Sequence, residues 1–101
     1  MTKDLSRDIF STTALFEEIL PDVIAIRDSS DDDYNKKENA INYIVENLCK
    51  RRNDDPNDRK GISRSCISKI RSIISHKEDV DGIIRYMNSS IQSGKNYNGG
   101  K

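Results

Sequence analysis

Few side chains in this sequence are equipped for acid–base or covalent chemistry, and their spacing decides what they can do. There is one histidine, His76, and there are two cysteines, Cys49 and Cys66. Neither cysteine has a Cys-x-x-Cys partner or a neighbouring histidine, so the ligand set that zinc takes is missing. Both thiols read as small buried hydrophobes. His76 stands in Ser75-His76-Lys77-Glu78, the spacing of a helix capping box, which assigns it to a helix end rather than to a general base. The run Asp31-Asp32-Asp33 with Asn35 has the look of a calcium loop, but an EF-hand needs Gly at its sixth position and Glu at its twelfth. Counted from Asp31, those positions hold Lys36 and Asn42. Acidic residues just before a helix are favoured by its dipole in any case. With no nucleophile–base pair and no Gly-rich phosphate loop, the expectation is no catalytic residue, no cofactor and no metal.

The chemistry that remains is recognition, and it concentrates between Arg59 and Ser75. At about 100° per residue, one face of this stretch carries Arg71, Arg64, Ser75, Ser68, Ser72, Ser65 and Lys69 in angular order. Cations with donor-rich heads bind carboxylates and phosphates, and short hydroxyl side chains let a partner backbone come close. Arg59 and Lys60 precede the helix, at the end where its dipole disfavours positive charge, so no local rule requires them. Tyr43 and Tyr86 fall off the apolar stripes of their own segments and are expected to be exposed. Tyrosine brings large contact area at low entropy cost. The predicted partner-binding surface is Arg59, Lys60, Arg64, Ser68, Lys69, Arg71 and Ser72, joined by Tyr86.

Within that stretch, Gly61-Ile62-Ser63-Arg64-Ser65-Cys66-Ile67-Ser68-Lys69-Ile70 resembles the turn and recognition helix of a helix-turn-helix protein. That family also needs a supporting helix directly before the turn, with a small residue four positions ahead of the glycine. Here the position is Asn57, inside a Pro/Asp/Asn loop with no apolar side chain. What the resemblance implies is therefore an atypical nucleic-acid binder, with the basic stretch 50–71 laid on phosphates by charge.

Four segments of helical periodicity must position these residues. The first runs from about Thr13 to Arg27, with Leu15, Phe16, Ile19, Leu20, Val23, Ile24 and Ile26 over a wide arc. Thr13 is its expected cap, Pro21 predicts a kink or a split into two short helices, and Leu5, Ile9 and Phe10 form an extra turn or a packed arm. The second runs from about Lys36 to Arg52, with Ile41, Ile44, Val45, Leu48 and Cys49 as its stripe and Asn35 and Glu38 as a capping box. Asn53 to Asp58 reads as a turn-rich loop. The third covers about Ile62 to Ser75, where Ile62, Cys66, Ile67, Ile70, Ile73 and Ile74 fall within an arc of about 140°. The fourth starts near Glu78 with Val80, Ile83, Ile84, Met87 and Ile91 as a narrow stripe. No stretch alternates like a strand. The expectation is an all-α fold: a small antiparallel four-helix bundle in which sequence neighbours pack together, as one domain over 1–93 with a flexible tail over 94–101. That architecture is similar to the pediocin-like bacteriocin immunity proteins, antiparallel four-helix bundles of about this size, and the resemblance implies a self-immunity role.

Composition sets the scale. A chain of 101 residues is one domain's worth. Hydrophobic residues at 34% are scarce and charged residues at 34% plentiful, so the core must be thin. No apolar run approaches the roughly 20 residues that span a bilayer. The first ten residues alternate charge with apolar side chains, without a signal-peptide core, which reads as cytoplasmic. The balance of 17 basic against 17 acidic residues conceals an uneven distribution. Residues 1–49 carry 5 basic and 11 acidic side chains, whereas residues 50–77 carry 9 basic and 3 acidic. The reading that follows is a small non-enzymatic regulator, inhibitor or adaptor that binds another protein, with nucleic acid as the alternative partner. The narrow fourth stripe also leaves room for a homodimer.

Overall fold

Apolar side chains recurring every three or four residues give each segment one greasy face, and burying four such faces together produces the architecture. The computed structural model describes the backbone of residues 2–55, 57–58 and 60–99, and the side chains of residues 8–55, 57–58 and 60–95. It is a small all-helical bundle of α1 (Thr2–Arg27), α2 (Asp33–Lys50), α3 (Arg64–Ser75) and α4 (Val80–Gly99). No helix among the described residues is long and apolar enough to cross a membrane.

The long first helix is central. Leu15, Phe16, Ile19 and Val23 are buried between α2 on one side and α4 on the other. Both neighbours run antiparallel to it. Along α2, Tyr43 meets Asp22 and Arg51 meets Glu18. Along α4, Arg27 approaches Asp81 at 3.6 Å and Glu17 pairs with Lys95 at 2.9 Å. Ala40, Ile44 and Leu48 of α2, Ile67, Ile70 and Ile74 of α3, and Val80, Ile83, Ile84, Met87 and Ile91 of α4 complete the core.

Several boundaries differ from the periodicity reading, each for a physical reason. Helix α1 begins eleven residues before Thr13 and passes through Pro21 without dividing. Proline in a helix interior costs about 3 kcal/mol. Here its ring is exposed, while Phe16, Ile19 and Val23 on either side keep one face in the core. Thr13 is a buried mid-helix residue and not a cap. In α2 the cap is Asp32, whose carboxylate accepts the Asn35 N–H at 2.8 Å, so Asn35 receives the cap it was expected to supply. Asp31 accepts from the Asn35 side chain at 3.1 Å. These carboxylates thus close a helix end. Cys49, expected inside, is exposed because the buried stripe of α2 is the narrower Ala40–Ile44–Leu48 line. The last helix begins at Val80 rather than near Glu78, and the Asp79 carboxylate accepts the Gly82 N–H at 2.9 Å. It then continues through Gly99, past the point where glycine and asparagine were read as a tail, because Gly94 is buried against Thr13 of α1.

Sequence adjacency also fails at the last joint. Helix α3 packs on α2 and meets α4 only marginally, while α4 packs chiefly on α1. A short third helix docked on one neighbour leaves an opening on its other flank.

Candidate functional site

The connection from α2 to α3 determines how α3 is presented. Its described residues form no helix; it closes instead through a parallel bridge between Arg52 and Ile62. The Ile62 N–H donates to Arg51 O at 2.9 Å and the Asn53 N–H to Ile62 O at 3.0 Å, which buries Ile62 completely. Within the loop, side chains satisfy the backbone locally. Asn53 Oδ1 accepts from Asp55 N, Asp55 Oδ1 from Asn57 N and Asp58 Oδ1 from Lys60 N, at 2.9 to 3.0 Å. These are the Asx turns that the Asn/Asp composition predicts.

The first turn of α3 is held by three side chains. Ser63 is its cap: the hydroxyl accepts the Cys66 N–H at 3.2 Å and donates to Asp8 Oδ2 of α1 at 2.9 Å. Asp8 Oδ1 accepts the Ser63 N–H at 3.1 Å, and Asp54 Oδ1 accepts the Arg64 N–H at 2.8 Å. The Arg64 amide, aided by Arg52 at 3.1 Å, holds the Asp54 carboxyl below the usual carboxylate range. The positive end of the α3 dipole is therefore answered from within the chain. Ser63→Ala removes the cap, and the expected loss is about 1–2 kcal/mol in urea denaturation followed by circular dichroism. Ser63→Thr should recover most of it, and a neutral alanine variant would show that the cap is unimportant.

At the other end, His76 Nδ1 lies 2.7 Å from Ser72 O, so the histidine closes α3 instead of belonging to a capping box for α4, whose first turn is held by Asp79. The N- and C-terminal chemistry of α3 is structural, which leaves its flanks.

One flank is the expected basic face. Arg64, Ser68, Lys69, Arg71 and Ser72 are all exposed on α3, together with Ser65 and Ser75. The helix contains three cations and no carboxylate. Arg64, Lys69 and Arg71 have no ion-pair partner among the described residues. By contrast, Arg27, Arg51, Arg52 and Lys95 each face a carboxylate of their own chain. Lys60 is exposed but belongs elsewhere. It lines a shallow cleft with Phe10, Lys50, Arg51, Arg52 and Asp58. Arg59 lies outside the described residues.

Tyr86 is not part of the exposed face either. It is half-buried, its ring edge-to-face with Phe16 at 6.0 Å and 70°, with Lys77 Nζ 5.6 Å from its centroid. Burial pushes its phenol above the ordinary tyrosine range. It lies off the aliphatic stripe because the α1–α4 contact is wider than that stripe. Tyr43 is half-buried as well, and its hydroxyl donates to Asp22, which raises its pKa.

The other flank of α3 is a groove that the residue pattern did not announce. It measures about 690 Å³ and lies between α3 and the α1–α4 pair. Cys66, Ile70 and Ile73 of α3, Ile9 and Thr12 of α1, and Tyr86 of α4 line it. Thr12 Oγ1 lies 3.7 Å from Cys66 Sγ, across the narrow end. Lys69 and Ser65 stand on its α3 wall and also on the edge of the basic face, so face and groove are continuous. Lys69 and Tyr86 are thus the two predicted site residues brought together here, while Arg64, Ser68, Arg71 and Ser72 lie outside. The signal for the groove was present in the apolar arc of the third segment, which is broader than a helix packed on one neighbour requires. Two aromatics are also exposed: Phe10, expected in an extra turn or a packed arm, at 54%, and Tyr34, which the residue pattern did not single out, at 71%. No family model, curated protein or solved structure matches the chain, so the reading of this site rests on its own geometry.

Proposed function

We propose that this protein is a small non-enzymatic helical module that regulates or recruits another protein by binding it through the basic Ser/Arg face of α3. The observation that carries this reading is the concentration of charge: Arg64, Lys69 and Arg71 are exposed on one short helix that holds no carboxylate, and none of the three has a salt-bridge partner among the described residues. Keeping three like charges on one helix without compensation stabilises nothing within the fold. The serines between them add donors and no bulk, which suits close approach by a carboxylate-bearing surface. A protein partner is favoured over nucleic acid by the acidic groups at the start of α3. Asp8 and Asp54 already occupy the amides that a phosphate would use at a helix N-terminus, and their charge opposes a polyanion.

The test is a double charge reversal, Arg64→Glu with Arg71→Glu, on the full chain. Helical circular dichroism should be unchanged, because both residues are exposed. A protein captured by the native chain from its host's extract should be lost by the variant, by a factor of about 100 or more in affinity. Capture that survives the reversal would remove this face from the assignment. Binding to random duplex DNA that falls steeply with salt would replace protein by nucleic acid as the partner.

A further inference from the structure

We infer that the groove between α3 and the α1–α4 pair receives an amphipathic helix of the partner, one carrying acidic side chains beside its apolar stripe. This rests on the proposed protein-binding reading and names what the partner inserts. The floor is apolar: Ile70, Ile73 and Cys66 from α3, Ile9 from α1 and the Tyr86 ring from α4. Burying such a surface gains about 25 cal/mol per Å². Its walls are low. Thr12 and Thr13 on α1, and Ser90, Ser93 and Gly94 on α4, are small side chains that let a helix backbone settle between the ridges. From Ser65 to Ile73 the α3 wall is nine residues long and rises about 12 Å, which is about two turns of helix and accommodates anchors at i, i+4 and i+7.

Charge fixes the sign of the occupant. Among the described residues, Asp8 and Lys69 are the ionic side chains lining the groove. The Asp8 carboxylate keeps its negative charge at the Ser63 end of the groove, where it accepts hydrogen bonds of 3.1 and 2.9 Å, so the occupant's acidic side chains belong beside Lys69 and away from that end. The Lys69 ammonium has no ion-pair partner among the described residues and stands where the groove meets the exposed cationic face of α3. An occupant lying along α3 therefore meets positive charge on that rim, and an acidic flank complements it.

The experiment uses a fluorescent model peptide of helix-forming sequence with Leu at i, i+4 and i+7 flanked by Glu, and a control with Lys in place of Glu. Both are titrated with the full chain by fluorescence anisotropy. The acidic peptide should bind at least about tenfold more tightly than the control. Ser93→Trp, which fills the groove from an exposed position on α4, should weaken the acidic peptide about tenfold or more, and Lys69→Glu should reverse the preference. The Arg64→Glu, Arg71→Glu double variant should retain the peptide. If neither Ser93→Trp nor Lys69→Glu alters binding, or if the acidic peptide does not bind, the groove assignment fails, while loss of native partner capture by the double reversal still supports the outer face. Two other results would also overturn it: dodecanoate binding that Ser93→Trp removes, in the absence of peptide binding, and self-association in sedimentation velocity that Ser93→Trp abolishes. The first makes the groove a site for small amphiphiles, and the second gives it to another copy of this chain.

Discussion

Phe16→Ala is expected to destabilise the fold by about 3–5 kcal/mol, the range for truncating a fully buried aromatic. Phe16 is wholly inaccessible to solvent and is among the largest side chains in the core. It also makes the edge-to-face contact with Tyr86 that joins α1 to α4, and such pairs add about 0.5–1.5 kcal/mol beyond the area they bury. Against a total of roughly 5–15 kcal/mol for a domain, the loss removes a large fraction of the stability. The transition temperature should fall by at least about 12 °C, read by thermal melts with circular dichroism. Phe16→Leu, which keeps most of the volume, should cost less than about 1.5 kcal/mol apart from the lost ring contact. An alanine variant within 1 °C of the native chain would show that α1 and α4 do not meet through this ring.

Gly94→Ala is expected to destabilise as well, against the direction that helix propensity alone would give. In a helix interior alanine is better than glycine by about 1 kcal/mol. At position 94 the new methyl would lie 2.9 Å from Thr13 Cβ and 3.0 Å from Thr13 Cγ2, and closer still to Thr13 Oγ1. Rotating Thr13 moves its branches but leaves its Cβ where it is, so the helices themselves must separate. Overpacking of that kind costs about 1–3 kcal/mol, which exceeds the propensity gain. Thr13→Gly in the same chain removes the obstructing atoms and should relieve the penalty specific to Gly94→Ala, so the two changes combine non-additively in a double-mutant cycle. A single Gly94→Ala variant more stable than the native protein would place the α1–α4 crossing elsewhere.

These two positions also mark what local pattern can and cannot reveal. The stripes of α2, α3 and α4 were legible because a period of 3.6 is a property of the segment itself. So were the Asx-rich loop, where Asn53, Asp55 and Asp58 each accept from a backbone N–H two residues on, and the placement of His76 at a helix end. Gly94 was misread for the opposite reason. Its smallness is demanded by Thr13, 81 positions away, while a glycine in a polar tail looks the same as one at a helix crossing. Thr13 was misread as a cap, and of the two outcomes expected at Pro21 the split into two helices does not occur: both signals carry little weight when packing on both sides holds one long helix in place.

The candidate site divides along the same line. Residue type and angular position sufficed to find Arg64, Ser68, Lys69, Arg71 and Ser72 on one exposed face. That these cations have no salt-bridge partner among the described residues is tertiary information, because it depends on where Glu17, Glu18, Asp28 and Asp54 find theirs. Tyr86 changed places for a related reason: its ring faces Phe16, a contact between distant segments. The groove depends on the relation among three helices and lies in no single one of them.

The central position of α1 also has a consequence in time. Its antiparallel neighbours are α2, which follows after a short turn, and α4, the helix most distant from it in sequence. The α1–α2 hairpin closes a small loop and forms early, whereas the α1–α4 contact must enclose about half the chain. Until residues 80–95 emerge from the ribosome, Phe16 has no Tyr86 to meet and the side of α1 facing α4 stays open to solvent. The nascent protein thus passes through a stage with a long apolar surface uncovered, a period of exposure to misassociation that ends only when α4 docks.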